Sequence, residues 1–137
     1  MMIAWADQRF GNEDLAYRRS IDSGVSFAGL TFLVRAPSDD SQPTIGSDGS
    51  NGLLTWVDER SGNKSISFRH SGDGGASFGA TARLVSAPTD EYGPACDVEG
   101  TSAACVWMDT RTGDPEPHAR ESLNGGLTWL TRFEVDF

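Results

Sequence analysis

The sequence predicts an all-β fold, a partial β-propeller made of four-stranded antiparallel blades. Three observations carry that expectation. The chain matches itself at a constant offset of 51 residues without a gap, so that Trp5, Trp56 and Trp107 fall in register. Asp7, Asp58 and Asp109 follow, then Arg9, Arg60 and Arg111, Gly11, Gly62 and Gly113, Ser20, Ser71 and Ser122, and Gly24, Gly75 and Gly126. Each unit holds four short β-type runs separated by turn signals, and a four-strand repeat of about 50 residues is the signature of a propeller blade. No segment sustains a 3.6-residue apolar period, which excludes repeats built of helix pairs.

In the complete second unit the strands are expected at residues 43–46, 53–57, 65–70 and 81–85. Asp48-Gly49, Ser61-Gly62-Asn63 and Asp73-Gly74-Gly75 supply the turns between them, because Gly, Asn and Asp tolerate the backbone angles that tight hairpins need. By this register the chain opens on the second strand of one blade and ends on a fourth strand near Phe137, giving eleven strands in a single segment. The boundaries are a partial blade 1 at 1–36, blade 2 at 37–87 and blade 3 at 88–137. Propellers typically need about four to eight blades to close. Two arrangements would cover the open ends: the remainder of a longer propeller, or a homodimer about a twofold axis. The missing inner strand of the first blade favours the former.

Composition narrows the function classes. With 37% hydrophobic and 23% charged residues the chain has a globular balance, and its longest near-apolar run, 27–34, is far shorter than the roughly 20 residues of a membrane-spanning helix. No membrane partner is expected. The net charge of −9 repels phosphate backbones, so nucleic acid is not expected either. Every basic residue except Lys64 is arginine, and a local arginine cluster can still hold a carboxylate against the global field. The N-terminal residues carry no secretory signal pattern.

The most specific motif is an octapeptide turn at 20–27, 71–78 and 122–129: SIDSGVSF, SGDGGASF and SLNGGLTW. Its Asp or Asn is suited to accept backbone N–H groups of its own turn, its Gly to supply a positive φ, and its final aromatic, Phe27, Phe78 or Trp129, to be buried within the blade. Asn124 keeps the acceptor oxygen of Asp22 and Asp73 without the charge, which assigns the position a hydrogen bond rather than catalysis. These octapeptides resemble the Asp-box, or bacterial neuraminidase repeat, of the sialidase superfamily of β-propellers. The resemblance implies structural hairpins built by Ser20, Asp22, Gly24 and Phe27, by Ser71, Asp73, Gly75 and Phe78, and by Ser122, Asn124, Gly126 and Trp129. In that family the hairpins lie opposite the ligand face, and they also occur in non-hydrolytic propellers such as sortilin-like receptors.

The resemblance places the ligand face at the loops that carry the Asp-x-Arg pairs. A spacing of two along an extended segment puts each Asp and its Arg on one side, where an ion pair forms naturally. Because the pair recurs in all three units, a structural pin at each blade mouth is the first expectation. The functional one turns Arg9, Arg60 or Arg111, with Asp58 and Asp109, toward a ligand carboxylate. Trp5, Trp56 and Trp107 recur identically and are expected in the core. If the resemblance extends to activity, it implies a retaining sialidase with an arginine triad, a Glu-assisted Tyr nucleophile and an Asp acid/base. The chain lacks the Arg-Ile-Pro tripeptide of that family's catalytic domains, and its tyrosines are Tyr17 and Tyr92 alone. Tyr17 aligns with Phe68 and Ala119 and is expected to face the core or a neighbour. Tyr92 lies beside Asp90 and Glu91 where the preceding unit has Asp39 and Asp40, so Tyr92, Glu91, Asp90 and Asp40 are the catalytic or glycan-contact candidates.

No cofactor and no metal are expected, since His70 and His118 do not recur and no His or Cys group has zinc-ligand spacing. Cys96 and Cys105 replace Ile45 and Leu54 of the previous unit on facing positions of one hairpin, which fits either a cross-strand disulfide or two buried thiols. A disulfide would agree with a secreted or periplasmic parent protein. The expected function is therefore a sialidase-like propeller segment that binds a glycan or a protein without turning it over. The alternative is an exo-sialidase with an arginine-lined axial site.

Overall fold

The computed structural model describes residues 1–135, and the two remaining residues, in which the third unit was expected to end, lie outside the described residues. Eleven strands form three antiparallel sheets, with no helix among the described residues. Sheet one has the order β1 (Met2–Asp7), β2 (Asp14–Arg19), β3 (Thr31–Val34). Sheet two runs β4 (Asp40–Asp48), β5 (Asn51–Asp58), β6 (Ser65–Ser71), β7 (Ala82–Val85), and sheet three β8 (Glu91–Glu99), β9 (Ser102–Asp109), β10 (Glu116–Ser122), β11 (Phe133–Glu134). Each sheet is a meander, the arrangement that hairpin turns dictate when every connection is short.

The inner strands begin earlier than expected. β4 starts at Asp40 rather than at residue 43, and a register shift separates Ser41 from Thr44, with Gln42 at φ 50 and Pro43 inside the irregularity. Proline has no N–H to give to the ladder, so pairing lapses there and resumes on its N-terminal side. β8 repeats the device between Tyr92 and Ala95, around Gly93 and Pro94. Cys96 and Cys105 stand directly opposite one another on β8 and β9 and are joined by a disulfide.

Alternation along each strand divides the core into two layers. Leu54 and Trp56 pack with Leu15 and Val34 between sheets one and two. Leu53, Val57, Ile66, Phe68, Leu84 and Val85 pack with Val98, Ala103, Cys105 and Trp107 between sheets two and three. Sheet two is thus buried on both faces, and at roughly 25 cal/mol per Å² of apolar area the two layers are the main source of cohesion.

The octapeptide turns have one geometry in all three units. Ser71 Oγ donates to Asp73 Oδ1 (2.8 Å) and accepts the Gly75 N–H (2.8 Å), while Asp73 accepts Ser77 N–H (2.9 Å) and Ser77 Oγ–H (2.6 Å). Ser20, Asp22, Gly24 and Ser26 repeat this set, and hydrogen bonds from Ser26 hold the Asp22 carboxyl down at about 2. In the third turn Asn124 Oδ1 accepts from Ser122 Oγ and Thr128 N, each at 2.9 Å, and its amide donates to Thr128 Oγ1 at 2.8 Å. The amide serves where a carboxylate stands in the other copies, because the acceptor oxygen is what the turn needs.

The aromatics that end the second and third octapeptides were expected to be buried within their own units but instead contact the preceding sheet. Phe78 meets Tyr17 of sheet one edge-on at 5.4 Å, and Trp129 meets Phe68 of sheet two at 5.8 Å. Both are half-buried wedges between sheets. Tyr17 Oη also donates to Gly75 O (2.6 Å) and Arg19 Nε to Gly74 O (2.7 Å), which ties the second turn onto sheet one.

That approach requires a residue without a side chain at position 75. A Cβ there would lie 2.5 Å from Tyr17 Oη and 2.1 Å from Met2 Sδ, at φ +79. Gly75→Ala is expected to destabilise the chain by roughly 2–4 kcal/mol, combining backbone strain with overpacking. Gly62→Ala, at φ +90 with nothing within 4 Å, carries only the strain, about 1–2 kcal/mol. Urea unfolding of both variants checks the difference.

Candidate functional site

The candidate site lies where the first strand of sheet one and the second strands of sheets two and three end. β1, β5 and β9 finish on Asp7, Asp58 and Asp109, and the loop that follows returns an arginine onto each. Arg9 gives its backbone N–H (3.1 Å) and Nε (2.8 Å) to Asp7 Oδ1 and Nη2 (2.7 Å) to Oδ2. Arg60 holds Asp58 through the same backbone, Nε and Nη2 donors, and Arg111 holds Asp109 with Nε at 2.9 Å and Nη2 at 2.6 Å. The carboxylate therefore closes its own loop with a two-pronged fork, the strongest geometry such a pair has. In every unit Nη1 is the guanidinium nitrogen not given to the Asp. The arginine side chains keep 50%, 39% and 33% of their surface, so these outer edges face solvent while the Asp58 and Asp109 side chains have none exposed.

Two carboxylates sit beneath these pairs. Asp40 opens β4 and Glu91 opens β8, and both are fully buried. Trp56 Nε1 donates to Asp40 Oδ1 at 2.7 Å, leaving Oδ2 without a partner. Burial is the main cause that raises Asp40 to about 6, against the Trp56 hydrogen bond and with the nearby Asp58 charge adding to it. Glu91 is a methylene longer and neither of its oxygens has a hydrogen-bond partner among the described residues, nor does Trp107 Nε1 beside it. Burial first, and then the Asp109 charge, raises Glu91 to about 7, although Arg111 stands 3.9 Å away. Asp58 and Asp109 are buried as well, yet the donors from Arg60, Ser67 and Arg111 outweigh that burial and hold both below the usual carboxylate range.

The remaining candidates do not converge. Asp90 is exposed and ties loops together: Oδ1 accepts Lys64 N–H (3.0 Å) and its carbonyl accepts Thr110 Oγ1–H (2.9 Å). Tyr92 follows Glu91 on an extended strand, so the two side chains point to opposite faces, and the Tyr92 ring packs on the core between sheets two and three. Among the described residues its phenol makes no hydrogen bond with Glu91, Asp90 or Asp40.

Sequence reasoning missed several members of this site. Arg132 donates Nη1 to Asp109 Oδ2 at 2.9 Å, although the repeat offers no arginine at the matching position. Ser67 Oγ donates to Asp58 Oδ2 at 2.9 Å. Trp5 Nε1 turns to Asp7 Oδ2 at 3.3 Å, where Trp56 reaches Asp40. The recurring tryptophan preceding Asp by two residues was the signal for this last contact, since its one polar atom needs an acceptor; Trp56 and Trp107 are core as expected, whereas Trp5 is only half-buried and lies outside both core layers.

No family model matches the chain, and no curated protein matches it. Among solved structures, the crystal structure of the NanB sialidase from Streptococcus pneumoniae, in complex with 2-[(3-chlorobenzyl)ammonio]ethanesulfonate, superposes with a TM-score of 0.61 at 12% identity, over 90% of this chain and 19% of that one. The chain spans about a fifth of that protein's length. The similarity is one of fold, and the three all-β sheets are sialidase-like.

A carboxyl raised by burial gives folding a defined pH dependence. Glu91 keeps its proton up to about 7 when folded but loses it near 4.5 when unfolded, so its contribution is complete below about 4.5 and is lost as pH rises to about 7. Asp40 acts in the same direction between 3.8 and about 6. Urea midpoints are therefore expected to fall from pH 5 to 8, and Glu91→Gln to remove most of the upper part of that fall. A wild-type profile that is flat over this range contradicts the assignment.

Proposed function

We propose that the chain is a run of sialidase-like propeller blades that acts as a non-catalytic binding scaffold, completed by the rest of a propeller or by a second copy. The repeated Asp-box turns and the 51-residue period support the propeller reading, because identical local geometry at constant spacing is what stacked blades require. One observation carries the absence of turnover. The carboxylates with raised pKa, Asp40 and Glu91, are sealed from solvent, and the Tyr92 phenol that follows Glu91 packs on the opposite face of its strand. A nucleophile and its acid must both reach the reacting bond.

The ligand this face suits is an anionic glycan. Three half-exposed guanidinium edges, already oriented by their Asp partners, can each offer Nη1 to a carboxylate. Outside those edges the strongly acidic surface disfavours anions, so recognition depends on the arginines. The disulfide fits an exported parent protein. A sialidase activity is the second reading, favoured by Glu91, whose carboxyl lies near neutrality as acid/base catalysis demands.

The two readings separate in one assay. A fluorogenic sialoside is expected to be left intact, while sialyllactose binds and loses roughly tenfold in affinity in Arg60→Ala, about one charge-assisted hydrogen bond. Turnover that disappears in Tyr92→Phe or Glu91→Gln would establish the hydrolase instead.

A further inference from the structure

The third sheet departs from the repeat at three positions that lie together on one face. Glu116 and His118 are two apart on β10, and Glu134 is the direct cross-strand partner of His118 on β11. Their potential ligand atoms lie within 4.8 Å of one another. In sheet two the same places hold Ser65, Ser67 and Arg83, which are satisfied internally: Ser67 Oγ donates to Asp58 and Arg83 Nη1 donates to Ser65 Oγ at 3.3 Å. In sheet one they are Asp14, Ala16 and Phe32. A change of all three to acid, imidazole and acid in one unit is not a demand of the fold.

His118 is the second, independent sign. It is only 5% exposed, yet neither Nδ1 nor Nε2 has a hydrogen-bond partner among the described residues. Buried imidazole nitrogens are ordinarily paired, because an orphaned one loses its hydrogen bond to water without replacement. The ring lies beside Trp107, 6.3 Å between centroids and 28° from parallel. Asp109, the cross-strand partner of Glu116, is committed to Arg111 and Arg132 and does not compete for the imidazole.

We propose that Glu116, His118 and Glu134 bind a divalent transition-metal ion, with zinc as the reference ion. One imidazole nitrogen with two carboxylates is a donor set that zinc accepts, and the imidazole disfavours calcium and magnesium, which take oxygen. Bonds of about 2.0–2.1 Å put neighbouring ligands about 3.3 Å apart, a contraction that the exposed Glu134 side chain supplies by changing rotamer. The ion would neutralise two facing carboxylates, occupy one of the two unpartnered nitrogens of His118 and clamp the two-residue strand β11 to β10. Three protein ligands leave a position for water on the solvent side.

The test is calorimetric titration of the untagged chain, freed of metal by chelator, with zinc, calcium and magnesium. The expected result is one zinc per chain, with calcium and magnesium at least tenfold weaker. Zinc affinity is expected to fall at least tenfold in both Glu134→Gln and His118→Gln and to stay unchanged in His70→Gln. Glu134 is exposed, so Glu134→Gln keeps the fold even where the buried His118→Gln does not. Absence of zinc binding, retention of full affinity in Glu134→Gln, or its loss in His70→Gln would overturn the proposal. None of these readouts depends on glycan binding, so the site stands or falls separately from the function proposed above.

Discussion

The rest of the structure depends on the docking of the second and third octapeptide turns, each against the preceding sheet. A four-stranded antiparallel sheet of this size cannot bury both faces alone, and its apolar residues are worth little until a second sheet covers them. The turn at 71–78 supplies the alignment. Its serine and aspartate close the hairpin, its glycine lets Tyr17 approach the backbone, and its phenylalanine wedges against that same ring. One short segment thus satisfies its own polar groups and sets the spacing between two sheets. Trp129 and Phe68 repeat the contact one unit later.

The same logic separates what recurs from what does not. The Asp-x-Arg forks occur in all three sheets, and each closes the loop that carries it while the arginine side chain stays partly exposed. Chemistry specific to one unit must come from positions where the copies differ. Two such differences stand in sheet three. Glu91 replaces an aspartate that fits beneath a tryptophan, and the longer side chain leaves both itself and Trp107 Nε1 unpaired. Glu116, His118 and Glu134 stand where sheet two has Ser65, Ser67 and Arg83, whose side chains are hydrogen-bonded to each other or to Asp58.

Much of the fold was legible in the sequence because its determinants are local. A turn that needs a hydroxyl, an acceptor oxygen and a positive φ at fixed spacing writes the same residues each time, and an Asp-x-Arg fork needs only a spacing of two. The facing cysteines were legible for the same reason, since a hairpin register puts Cys96 opposite Cys105. What stayed hidden depends on contacts between sheets. Nothing in the sequence links Phe78 to Tyr17, so the closing aromatic reads as buried in its own blade when it belongs to the interface. The alternation that turns Tyr92 away from Glu91 was available in principle, but adjacency along the chain suggested a shared site. The fourth strand of the third unit was expected, but the proximity of Glu134 to His118 follows from its cross-strand register, which the repeat alone does not specify.

The most direct test of this account is a double-mutant cycle on Phe68 and Trp129, measuring unfolding free energies of Phe68→Leu, Trp129→Leu and the pair. If the ring at the end of the octapeptide holds one sheet to the next, the two residues couple by roughly 0.5–1.5 kcal/mol, as an edge-on aromatic pair does beyond its buried area. A coupling indistinguishable from zero would mean that each ring serves its own sheet, and that the sheets are aligned by something other than the turns.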